Sequence, residues 1–175
     1  MSNTKTALIV IDIQNDYFAG GNYPLENAEG ALANALTAMT HAKDQGMPII
    51  LVQHIANPAN GVSPFFNENT EGVQIHPKVR AAAPDAPVIV KRFADAFHQT
   101  TLDDTLQQLG VTKLLVCGMM TQNCVTHTAI SKTAEKYQVE IIGDACATVT
   151  NLLHAIALGA VKTRMTVLNT AEAFA

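Results

Sequence analysis

The feature that most constrains this chain is a series of short, near-continuous apolar runs, each followed by a segment of helical spacing. The runs are Ala7–Asp12, Pro48–His54, Val88–Lys91, Lys113–Cys117, Val139–Gly143 and Met165–Leu168. They do not alternate apolar with polar residues. Strands of that kind are buried on both faces, as in a parallel sheet covered by helices on both sides. The intervening segments agree. Residues 27–46 place Leu32, Ala35, Leu36 and Met39 on one face, with Gly46 as the stop. Leu102–Leu109 follows Thr101 as a candidate N-cap, with Asp103 and Asp104 in the first turn. Helices are also predicted over Gln122–Tyr137 and Asn151–Val161. Asn57–Pro87 carries five prolines and reads as loop with a short helix near Pro77–Ala83. A loop that long often covers a functional site.

A length of 175 residues suits one domain over the whole chain, residues 1–175. With 48% hydrophobic and 15% charged residues, a buried core is expected and disorder is not. The net charge is −4 and no basic run exceeds Lys91-Arg92, which argues against a nucleic-acid or anionic-membrane surface. No apolar stretch approaches the ~20 residues of a membrane span. Residues 1–6 lead straight into a strand without a signal-peptide pattern, so a cytoplasmic protein is expected. The three cysteines, Cys117, Cys124 and Cys146, are odd in number and lack a CxxC, which disfavours a disulfide framework or a zinc site. HExxH, GxGxxG and Walker-type motifs are absent, so neither a metal nor a cofactor is expected.

Ligands of open parallel sheets bind beyond the carboxyl ends of the strands. The first strand ends in Asp12, the third in Lys91, and the fourth in Cys117-Gly118, whose turn delivers Cys124. A carboxylate, an amine and a thiol are therefore expected at one edge, the parts of a base, a charge stabiliser and a nucleophile. Thr121 as N-cap would put Cys124 at N3, where free N–H groups favour a thiolate and can hold an oxyanion. A lone cysteine is also commonly inert core filler, and that is the reading for Cys117 and Cys146. Asp12 can equally belong to a structural ion pair. Asp16 is expected to cap the turn after the first strand. His54 ends the second strand and is either pocket lining or structural. His41, His76 and His127 read as surface, loop and helix residues.

These segments resemble the isochorismatase-like cysteine hydrolase family. The resemblance is carried by Ala7–Phe18 with Asp12, Gln14 and Asp16, by Val90-Lys91 with Phe93 and Phe97, and by Gly118-Met119-Met120-Thr121-Gln122-Asn123-Cys124-Val125. It implies a three-layer Rossmann-like fold with a six-stranded parallel sheet of order 3-2-1-4-5-6. It also implies a triad of Asp12, Lys91 and Cys124. A cis peptide before Met120 would let the N–H groups of Met120 and Cys124 form an oxyanion hole. In that strand order Lys91 starts roughly 10 Å from Asp12 and must lean inward to meet it. Members with a nucleophilic cysteine hydrolyse amides and ureido groups, whereas isochorismatases split a vinyl ether. Nicotinamidases bind a metal through an Asp-x-His pair after the second strand. Gln53-His54 here lacks that carboxylate, which disfavours nicotinamide as substrate.

The reading is thus a metal-independent hydrolase of a small amide or ureido compound, in a homo-oligomer, with Gln14, Phe18, His54 and Phe97 lining the pocket and Phe65-Phe66 closing it. The alternatives are a vinyl-ether hydrolase using Asp12 as acid, and a non-enzymatic α/β binding protein.

Overall fold

The computed structural model describes residues 4–175. Six strands form one sheet: β1 (Thr6–Ile11), β2 (Ile49–His54), β3 (Val88–Lys91), β4 (Lys113–Met119), β5 (Gln138–Ala147) and β6 (Thr166–Leu168). Every pairing is parallel, and the order is β3-β2-β1-β4-β5-β6, as expected. The helices are α1 (Ala28–Asp44), α2 (Pro77–Ala82), α3 (Leu102–Gln108), α4 (Thr126–Ala129), α5 (Asn151–Val161) and α6 (Thr170–Ala173). Leu8, Ile9 and Ile11 of β1 are wholly buried, as continuous apolar strands between helical layers must be. α1 buries Leu32, Ala35 and Met39, and Gly46 with φ +66° ends it in the left-handed conformation that glycine adopts at low cost.

Several local expectations change. The edge strand β3 alternates: Val90 is half exposed, while Ile89 and Lys91 point inward. A strand with a neighbour on one side only has an outer face to leave in water. Residues 122–137 do not form one helix. A π-helical turn, Thr121–Val125, passes into α4, and a 3-10 turn, Thr133–Lys136, follows. Thr121 is not the N-cap. Met120 holds that place without a side-chain bond, and Thr121 Oγ1 lies 2.9 Å from His154 Nδ1 on α5. Thr101 likewise makes no capping bond. β5 outruns its predicted end at Gly143. Its register against β4 jumps from Val116↔Ile141 to Gly118↔Cys146, so an extra loop of chain bulges out before pairing resumes.

Candidate active site

The end of β1 sets the geometry. Ile11 pairs with Val52 and Gly118, and His54 pairs with Lys91. Residues in register share a face of a parallel sheet, and residues two apart on a strand share it too. Ile11, Val52, His54 and Lys91 therefore lie on one face, and a continued β1 would send Asp12 to the other. Instead Asp12 has φ +50°, a left-handed turn that carries its side chain back toward Lys91. Gly118, at φ +123°, permits the close approach of β4: a Cβ there would lie 1.9 Å from Ile11 O.

The Lys91 side chain crosses the end of β2 and brings Nζ to 2.7 Å from Asp12 Oδ2. Asp12 is 0% exposed and Lys91 1%. Around Nζ also stand His54 Nδ1 at 2.8 Å, Phe93 O at 3.0 Å and Cys124 Sγ at 3.1 Å. An ammonium has three N–H groups. Four acceptors thus surround three N–H groups, and Asp12 is the nearest of them. Asp12 Oδ2 meets the Lys91 ammonium, and the Cys124 thiol is the other group placed to donate to the carboxylate. A buried carboxylate in that state has lone pairs free for a proton.

Burial and the Asp12 carboxylate push the Cys124 thiol up to about 12, against the pull of the Lys91 ammonium. The sulfur therefore carries its proton at rest. Burial disfavours the charge on Lys91, but Asp12 and Cys124 outweigh it and raise its pKa. Burial and the neighbouring Lys91 lower His54 to about 4, so its ring is neutral and accepts at Nδ1.

The Met119–Met120 peptide is cis, and Cys124 sits in the π-helical turn immediately after it. Among the described residues, no loop or turn hydrogen bond between backbone groups uses the Met120 or Cys124 N–H. Cys117 and Cys146 are buried in the sheet.

Asp12, Lys91, Cys124 and His54 thus come together. Gln14 joins them through protein contacts only. Its amide receives the His54 N–H at 2.8 Å and donates to His54 O at 2.9 Å and Val73 O at 2.7 Å. Its expected place as a pocket contact gives way to a clamp on the β2 terminus. Phe18 packs on the His76 ring at 4.5 Å, and Phe97 stacks on Tyr137 at 6.0 Å.

Sequence reasoning missed Tyr17. Its buried phenol is raised in pKa by burial first and then by Asp12 and Cys124, which places it within electrostatic reach of the site. Tyr17 packs on Phe66, whose ring also lies 6.0 Å from His54. Asp16 does bind its own turn, through Asn22 N, but it also holds Phe66 N at 2.7 Å. The clue was the Asp16-Tyr17-Phe18 run, in which adjacent residues on a turn face different ways.

The donor atoms of Asp12, His54 and Cys124 lie within 4.8 Å of one another, close enough to share one ion. Lys91 Nζ already stands among them. A second cation would meet it at contact distance in a buried site, so the set does not fit a metal while Lys91 is charged.

Together, the fold and this edge define a three-layer α/β protein with a buried carboxylate–ammonium–thiol constellation at the carboxyl end of its sheet. The sequence profile of the Isochorismatase domain matches residues 6–173. An uncharacterized isochorismatase family protein of Bacillus subtilis is 44% identical over 145 residues, covering 83% of this chain and 79% of its own. A nicotinamidase of Escherichia coli is 27% identical over 174 residues, covering 80% and 82% respectively. A solved isochorismatase family protein from Desulfovibrio vulgaris superposes with a TM-score of 0.87 at 25% identity, over 97% of this chain and 96% of that one. The chain belongs to the isochorismatase family of hydrolases.

Proposed function

We propose that the chain is a cysteine hydrolase that cleaves a small amide or ureido C–N bond through a thioester at Cys124, without a metal. The observation that carries this reading is the placement of Lys91 Nζ, 2.7 Å from Asp12 and 3.1 Å from Cys124 Sγ, with the Cys124 thiol placed to donate to the same carboxylate. The nicotinamidase relative supports amide chemistry as a class. The Gln53-His54-Ile55-Ala56-Asn57 segment at the end of the second strand holds no Asp-x-His pair, which argues against nicotinamide itself.

Asp12 takes the proton from the Cys124 thiol while Lys91 steadies both charges. The thiolate attacks the substrate carbonyl carbon, forming a C–S bond. The Met120 and Cys124 N–H groups receive the oxyanion. Asp12 returns its proton to the leaving nitrogen, the C–N bond breaks, and the amine departs. Water then attacks the thioester and gives its proton to Asp12. The C–S bond breaks, the carbonyl product leaves, and the Asp12 proton returns to the sulfur.

A homo-oligomer is part of the reading. α5 carries no charged residue and turns Leu152, 72% exposed, and Ile156, 59% exposed, outward. Sedimentation velocity tests it.

The function is tested by screening small primary amides and carbamoyl compounds for ammonia release. A substrate turned over by the wild type should lose about a thousandfold or more in kcat with Cys124→Ala. Mass spectrometry of quenched wild type should then show the acylated cysteine. Undiminished turnover by Cys124→Ala overturns the thioester route and leaves Asp12 as the acid of a vinyl-ether hydrolase.

A further inference from the structure

The Lys91 ammonium is held by more than Asp12 and Cys124. Its third side-chain neighbour is a histidine that was expected to face the substrate. His54 Nδ1 lies 2.8 Å from Nζ, in register with Lys91 on the adjacent strand. An ammonium has no lone pair, so the ring nitrogen is the acceptor and the ring proton lies on Nε2. His54 is itself fixed. Gln14 grips both its N–H and its carbonyl, and the Phe66 ring packs against it.

We propose that His54 is a positioning residue. It accepts one N–H of Lys91 and so fixes the flexible ammonium between the Asp12 carboxylate and the Cys124 sulfur. The proposal rests on the reading of Cys124 as nucleophile. Lysine has a four-carbon stem and rotatable donors, so two attractive partners alone do not fix its orientation. In a site that excludes water, a third acceptor decides where the remaining N–H groups point. His54 and Phe93 O draw N–H groups to one side of Nζ, which leaves an N–H for the side shared by Asp12 Oδ2 and Cys124 Sγ. Without His54, that N–H is free to turn away from the sulfur.

The device works only with a neutral ring. The charged and titratable groups facing it are Lys91 at the end of β3, Arg92 just after it, Asp12 after β1, and Cys124 from the π-helical turn. The two cations and burial oppose protonation, and Asp12 favours it. Protonated His54 would turn a donor toward a donor and push Lys91 off the sulfur.

The test needs no substrate. The full-length protein is alkylated with iodoacetamide across pH, with Cys124→Ala giving the background from Cys117 and Cys146. His54→Ala should slow Cys124 alkylation at neutral pH by about tenfold and raise the apparent pKa of the reacting thiol by about one unit. His54→Asn places an amide oxygen where Nδ1 was, and should restore the rate to within about threefold of wild type. Circular dichroism confirms that each variant is folded.

A reactive wild-type thiol with no change in His54→Ala overturns the positioning role alone. So does an Asn variant as slow as Ala, which would mean that the ring matters only for packing. A wild-type Cys124 alkylated no faster than the Cys124→Ala background at any pH overturns this proposal and the nucleophile reading together.

Discussion

At the scale of single residues, the site depends on one cation surrounded by four acceptors. Breaking a buried ion pair from one side leaves the other charge without a partner, which costs about 3–5 kcal/mol. Asp12→Asn should therefore be both inactive and less stable by that order, measurable as a fall in the urea midpoint. Lys91→Ala has a different expected outcome. It removes the ammonium and leaves Asp12, His54 and Cys124 facing one another with donor atoms within 4.8 Å. That is a nitrogen–oxygen–sulfur set suited to a divalent transition metal. Titration with Co²⁺ should give a thiolate-to-metal absorption band in Lys91→Ala, and none in wild type or in Lys91→Ala/Cys124→Ala. The same band in wild type would mean that Lys91 does not exclude the ion.

At the scale of elements, two close approaches hold the edge together. The first is β4 against the end of β1. Gly118 has a φ open to glycine and no room for a Cβ against Ile11 O. Gly118→Ala should cost roughly 2–4 kcal/mol by combining backbone strain with overpacking. It should also displace the turn that carries Cys124, so thermal stability and iodoacetamide reactivity should fall together. The second is the long loop over the site. Asp16 holds Phe66 N with one oxygen and Asn22 N with the other, and Gly72 lies so near that a Cβ would come within 2.0 Å of Asp16 Oδ1. Asp16→Ala loses a buried charge-assisted bond of about 1.5–3 kcal/mol. Faster proteolytic nicking within residues 57–75 of that variant would show that Asp16 straps the loop down. An unchanged cleavage pattern would show that it does not.

At the scale of the whole molecule, burial of titratable groups sets the limits of stability in pH. Burial pushes Cys146 up to about 12, as burial and Asp12 do for Cys124. A thiol with a raised folded pKa ionises first in the unfolded chain. Its stabilising contribution is therefore complete below about pH 9 and is lost as pH rises toward 12. The urea midpoint should fall steadily above pH 9, and Cys146→Ala should flatten that slope. His54 works at the other limit. Its folded pKa of about 4 lies below the ordinary 6.5, so the unfolded chain binds the proton first, and stability falls as pH drops through that interval. His54→Asn, which does not titrate, should remove the His54 part of the decline between pH 6.5 and about 4.

By itself the sequence determined the six apolar strands, the parallel class and the edge where Asp12, Lys91 and Cys124 had to gather, because hydrophobic period and strand-end position are local properties. With the strand order that the family resemblance implied, Lys91 also had to reach across a strand, since order and spacing fix that distance. Tertiary structure alone decided how they meet. The left-handed turn at Asp12, the π-helical turn at Cys124 and the bulge in β5 depend on neighbouring strands, and no local pattern encodes them. The roles of Gln14 and His54 were decided in the same way. Both were legible as polar residues near the edge. Which atom each would face followed only once register put His54 beside Lys91 and the Val73 loop beside Gln14, because a polar side chain's partner is chosen by what burial brings to it.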